Sequence, residues 1–141
     1  MTPEQNNAVA ETFFTSAWNE GDWGTAEPLL ASNVVDHSPV PGGQEGGAEF
    51  KAIVNMFRAA LPDVGLTIRD EVFAEDKVVH RWEVRGTHTG EPLLGAPASG
   101  EEIILTGITW LRMANGKIVE RWTQLDMLGL MQRLGLIPSQ N

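Results

Sequence analysis

The hydrophobic period of this chain changes once, near Val64, and that change limits what it can fold into. Before it, apolar residues recur at helical spacing. Val9, Phe13 and Ala17 form one stripe with Phe14 and Trp18 beside them, and Phe50, Ile53, Val54, Phe57 and Leu61 form another. After it, Leu66, Ile68 and Val72 alternate with polar residues, and the runs Lys77 to Gly86, Glu101 to Met113 and Lys117 to Leu125 read as strands. Helices first and antiparallel strands afterwards is the α+β pattern.

The punctuation supports these elements. Thr2-Pro3-Glu4-Gln5 reads as a helix start, with a Thr cap, Pro at the first helical position and Gln three residues after the cap. Gly21 ends that helix, and a short second one is expected from Trp23 to Leu30. "VVDHSPVPGGQEGG" reads as a Pro- and Gly-punctuated loop. A third helix spans Ala48 to Leu61 and a last one Met127 to Leu134. Asn115-Gly116 signals a tight antiparallel hairpin. "THTGEPLLGAPASG" is a long loop that could arch over a ligand. With no repeat and no linker, residues 1–141 form one domain with a sheet of four to six strands.

Composition narrows the function. Nineteen acidic against ten basic residues give a formal charge of −9, the wrong sign for phosphate backbones or an acidic membrane surface. There is no cysteine, so thiolate metal sites and Cys nucleophiles are excluded. No apolar run approaches the roughly 18 residues needed to cross a bilayer. The N-terminus carries acids and amides where a secretory signal carries basic and apolar runs. A soluble, cytoplasmic protein with no nucleic-acid or membrane partner is expected. The three His show no ligand spacing, so no metal is expected. The glycines match no phosphate-binding loop, and no Gly-x-Ser-x-Gly elbow is present.

Several residues could line or work in a pocket beneath such a sheet. Five Trp and no Tyr is an uneven choice, and Trp18, Trp82 and Trp122 offer wide apolar walls for a flat ligand, or simply core. In "WTQLDMLGLMQRLG", Asp126 stands among apolar neighbours at a strand-to-helix seam. It is either a helix cap or a pocket acid, and one side chain could be both. On a regular strand Glu120, Trp122, Gln124 and Asp126 share one face and Val119, Arg121, Thr123 and Leu125 the other. The first set resembles a polar-tipped pocket wall, although parity does not say which face is inside. His37 either orients a substrate carbonyl or fixes a turn with Asp36. His80 and Arg81 point opposite ways, so one of them faces inward, and Arg81 could bind an ester or pair with an acid. His88 is expected in solvent.

Five stretches, in order, resemble the SnoaL-like polyketide cyclases (ester cyclases): "VVDHSPVPG", "LPDVGLTI", "HRWEVRGTHTG", "NGKIVERW" and "DMLGLMQRLG". That family lies within the NTF2-like superfamily, typified by nuclear transport factor 2. The resemblance implies a cone-shaped α+β fold, the cystatin-like α+β barrel, in which helices pack on the concave face of a curved antiparallel sheet. It implies intramolecular aldol closure of a polyketide ester without metal or cofactor, with Asp126 as general acid/base. His37 and Gln124 would then be hydrogen-bonding partners, and a homodimer or larger oligomer is implied. The substrate would be a small hydrophobic carbonyl compound. An isomerase or epoxide hydrolase using the same pocket remains an alternative, as does a non-catalytic ligand-binding or association module.

Overall fold

The computed structural model describes residues 1–37 and 47–138, so most of the loop expected at 34–47 lies outside the described residues. Helix α1 (Pro3–Thr15) starts as its sequence predicts. Thr2 Oγ1 accepts the Gln5 N–H at 3.1 Å, and Gln5 Oε1 accepts the Thr2 N–H at 2.8 Å. The helix then widens into a π-helical turn, Ser16–Glu20, which Gly21 closes at φ 63°. A short helix α2 (Trp23–Ala26) runs into a 3-10 turn, Glu27–Leu29, where Pro28 limits its length. Helix α3 (Gly47–Ala60) buries Phe50, Val54 and Phe57, and α4 (Met127–Arg133) buries Leu130.

The sheet has five strands: β1 (Leu30–Asp36), β2 (Gly65–Ala74), β3 (Lys77–Thr87), β4 (Glu102–Ala114) and β5 (Lys117–Leu125). Their spatial order is β1-β5-β4-β3-β2. Strands β2 to β5 form an antiparallel meander, and β1 lies parallel to β5. The hairpin at Asn115-Gly116 has both turn residues at positive φ, 53° and 74°. That is the geometry for which Asn-Gly is suited.

Two expectations need correction here. The sheet is mixed, because the segment around Val34 and Val35 is a strand and not a loop. Its alternation is faint, since β1 exposes Asn33 and Val35 and buries no residue completely. The second correction concerns Val72, which is 63% exposed. The β2–β3 register shifts between Ile68 and Asp70, so the strand changes phase there. Beyond that bulge Glu71 and Phe73, not Val72, point toward the helices.

Helix α1 packs on β2 and β3, α3 approaches β1, and α4 packs on β4. The core between helices and sheet gathers Phe13, Phe14, Phe57, Leu61, Leu105 and Leu111. The packing leaves one end of this layer unfilled.

Candidate functional site

The unfilled space is a cavity of about 270 Å³ lined largely by apolar side chains, among them Phe14, Trp18, Phe50, Phe57, Leu66 and Trp82. Each wall has a local cause. Trp18 sits in the π-helical turn, where the wider backbone leaves its carbonyl to accept a hydrogen bond from Arg58 Nη1 at 2.6 Å. Trp82 pairs across the sheet with Gly107, and a Cβ there would lie 2.5 Å from the indole ring. Glycine at 107 is therefore what lets the Trp82 ring lie across the sheet. Leu94, at φ 51°, reaches the cavity from the 88–101 loop. That loop is tied down where the Gly90 and Glu91 N–H groups donate to the Ala60 and Ala59 carbonyls. In doing so they satisfy carbonyls at the end of α3 that have no partner within the helix.

Among the described residues, five polar side chains enter this apolar space: Asp36, Glu49, Thr109, Arg121 and Thr123. Strand β5 supplies an inward row of Arg121, Thr123 and Leu125. Arg121 is aligned with Asp36 of β1, and its Nη1 donates to Asp36 Oδ2 at 2.7 Å. The Arg121 guanidinium also lies 5.0 Å above the Phe50 ring, a cation–π contact. One rung away, the Trp82 indole N–H donates to Thr109 Oγ1 at 2.9 Å, and the Thr109 and Thr123 hydroxyls are 3.2 Å apart. Glu49, in the first turn of α3, is 3% exposed. The cavity thus pairs an apolar body with a small, directional polar lining, the usual composition of a ligand pocket.

The residues singled out from the sequence divide into two groups. Trp18 and Trp82 line the cavity. Trp122 and Gln124 do not, because the inward face of β5 is the other one. Trp122 carries the His37 ring stacked upon it at 4.6 Å and an interplanar angle of 9°. His37 is exposed, and its Nε2 donates to Glu120 Oε2 at 2.7 Å. Arg112 also donates to Glu120. The His37 bond and then the Arg112 bond hold the Glu120 carboxyl below its ordinary value. Asp126 is exposed and caps α4, its Oδ1 accepting the Gly129 N–H at 2.9 Å. With Arg81 and Gln124 it lines a shallow outer concavity on the far side of the sheet. The cap weighed for Asp126 is therefore present, while its neighbours Leu125 and Met127 reach the cavity.

Two histidines are buried. His80, not Arg81, faces inward, and its Nε2 donates to Asn7 Oδ1 at 2.7 Å. Burial lowers its pKa, opposed by the nearby Glu71 carboxylate. His88 is 1% exposed, which corrects the expectation of a solvent position. Its Nε2 donates to the Glu91 carbonyl at 2.9 Å, so the ring pins the loop from within. Among the described residues no group of three or more His, Cys, Asp or Glu side chains is placed to hold a metal ion.

The sequence reasoning missed Asp36 as a cavity residue, and with it Arg121, Thr123, Thr109 and Glu49. For Asp36 and Arg121 the signal is the parallel pairing of β1 with β5. Nothing local in either strand announces it.

Comparison with known proteins places this geometry. Among solved structures, TsrD from Streptomyces laurentii superposes with a TM-score of 0.84 at 28% identity, over 97% of this chain and 99% of its own. A protein from Bacillus cereus assigned as a polyketide cyclase gives 0.81 at 28%, over 94% and 82%. IdmH from Streptomyces antibioticus, likewise assigned as a polyketide cyclase, gives 0.78 at 28%, over 93% and 99%. No protein with a curated description matches in sequence. The SnoaL-like polyketide cyclase profile matches residues 8–134, which takes in every lining residue of the cavity. With that match over nearly the whole chain, on a five-stranded α+β fold enclosing an apolar pocket, the chain belongs to the SnoaL-like polyketide cyclase family.

Proposed function

We propose that this chain performs acid–base catalysis without a cofactor on a hydrophobic carbonyl compound, closing a ring by intramolecular aldol condensation. The observation that carries the reading is the cavity itself. It is an apolar chamber built around two Trp and three Phe, with carboxylates and hydroxyls reaching its interior. Holding a flexible chain in a folded pose removes much of the entropic barrier to its cyclisation. What remains is proton transfer. A base takes a proton from a methylene between two carbonyls, the resulting enolate carbon bonds to a ketone carbon, and the ketone oxygen receives a proton as it becomes a hydroxyl. We assign the transfer to Glu49, a carboxylate in the first turn of α3 that lines the cavity and is 3% exposed. Asp126, the acid implied by the family resemblance, stands on the outer side and is the second assignment.

The test is ring closure of an aromatic β-keto ester bearing a second ketone, followed by chromatography. Wild type should accelerate closure. Glu49→Gln should lose about 100-fold or more, with binding retained in the cavity, while Asp126→Asn should stay near wild type. The reverse pattern would move the acid to Asp126. No acceleration by wild type would leave a ligand-binding module.

The assembly belongs to the same proposal. Val72, Ile108 and Trp110 are exposed at 63%, 50% and 47%. Arg112 and Glu120 flank Trp110 with both signs of charge. A face with that mixture can match itself across a two-fold axis, and a second copy of this chain is the occupant we assign to it.

A further inference from the structure

We infer that Arg121 is the residue that receives the carbonyl oxygen of the ligand, with Asp36 and Phe50 holding its guanidinium in place. The inference rests on the proposal that the cavity is the ligand site, and it adds the group that recognises the ligand's polar atom. Three observations support it.

The first is an unmade hydrogen bond. Arg121 lines the cavity, and its Nε is buried with no hydrogen-bond partner. Buried donors are nearly always paired, and one that is not needs an explanation. A ligand acceptor in the cavity would bind at the other N–H groups of this guanidinium, whose side chain is 14% exposed.

Preorganisation is the second. The Arg121 side chain is fixed by the 2.7 Å bond from Nη1 to Asp36 Oδ2 and by the Phe50 ring 5.0 Å away. Its backbone is fixed as well, because Asp36 and Arg121 are aligned partners of β1 and β5, and the His37 N–H donates to the Arg121 carbonyl at 2.9 Å. A planar donor held on two sides need not reorganise when a ligand arrives, which is the condition for effective stabilisation of a developing oxyanion.

The third is the charge of the surroundings. Two carboxylates, Asp36 and Glu49, enter the same cavity as this single guanidinium. They oppose a carboxylate or phosphate ligand and favour a neutral acceptor that draws negative charge only as it reacts. A ketone or ester carbonyl is that class of group. During ring closure its oxygen gains charge as the carbon–carbon bond forms, and an adjacent N–H donor strengthens its hold at that moment.

The experiment compares two probes of nearly equal shape, 2-acetylnaphthalene and 2-isopropylnaphthalene, which differ in one carbonyl oxygen. Binding is followed at the Trp82 indole N–H by NMR. In wild type the ketone should bind at least tenfold more tightly than the hydrocarbon. In Arg121→Met that preference should fall to within twofold. Removing one member of a buried ion pair can unfold a protein, so the paired variant Asp36→Leu/Arg121→Met serves as the second arm with the same expected result. Equal binding of both probes to wild type would overturn the role of Arg121 and leave the cavity a ligand site. So would a preference for the ketone that survives both variants. Failure of both probes to bind wild type would overturn the cavity reading and this inference together.

Discussion

Asp126 stands where β5 ends and α4 begins, and its Oδ1 closes the first turn of that helix on the Gly129 N–H. Gly129 suits the arrangement, since a Cβ there would meet the Asp126 carboxylate at 2.3 Å. A carboxylate in this position stabilises the helix end through the hydrogen bond and the helix dipole. Asp126→Asn keeps an acceptor and should lose no more than a few tenths of a kcal/mol, whereas Asp126→Ala should lose about 1 kcal/mol. Chemical denaturation of the two variants measures this, and a cost for Ala no greater than that for Asn would remove the cap from the account. At this scale the sequence was legible in part. Its residue types at Asp126 allowed both a cap and a pocket acid. The side chains that enter the cavity were unreadable, because strand parity does not say which face of β5 is inward and Asp36 meets Arg121 only across 85 residues of chain.

Between α1 and the sheet lies a buried polar contact that the helix stripe did not announce. His80 of β3 donates to Asn7 of α1. Asn7 in turn donates to Glu71 of β2 at 2.9 Å and to Glu11 of α1 at 3.4 Å. Thr109 of β4 is the cross-strand neighbour of His80. Burial holds the His80 pKa below its ordinary 6.5, with Glu71 pulling the other way. The unfolded chain therefore binds a proton on this imidazole more readily than the folded one. Stability should be fully present above about pH 6.5 and fall as the pH drops from there toward the lowered folded value, by up to about 1.4 kcal/mol per pH unit for one proton. Glu11 acts in the opposite sense at lower pH. Burial and the Glu71 charge raise its pKa, so its neutral form favours the folded state as the solution becomes acid. Denaturation midpoints at pH 7.5, 6.5 and 5.5 should show a steeper decline for wild type than for His80→Gln, and equal slopes would rule His80 out. The elements themselves were mostly legible. The capping residues gave α1, the stripe gave α3, and Asn-Gly gave the last hairpin. The misread parts, β1 and the face of Val72, are the places where a bulge or a distant partner overrides the local pattern.

For the molecule as a whole, the outer face of the sheet carries the next question. Trp110 and Trp122 are cross-strand neighbours there, with His37 stacked on the latter. If a second copy covers this face, Trp110→Glu should shift the sedimentation equilibrium to monomer without unfolding the chain, because Trp110 is nearly half exposed in the protomer. A wild-type monomer at micromolar concentration would end that reading. The fold class was legible at this scale because a single switch of hydrophobic period is a global property of the chain. The strand order was not, since it depends on a contact spanning 85 residues, from Asp36 to Arg121. That span has a consequence in time. The meander β2 to β5 and helix α3 can form from neighbouring segments, whereas β1 must wait for β5, which follows it by most of the chain's length. On a ribosome the first two helices and β1 emerge long before their strand partner exists. The chain must therefore extend past Arg121 for the ion pair to form, and any chain cut short before Lys117 would lose the guanidinium together with Thr123, Leu125 and Met127 of the chamber wall.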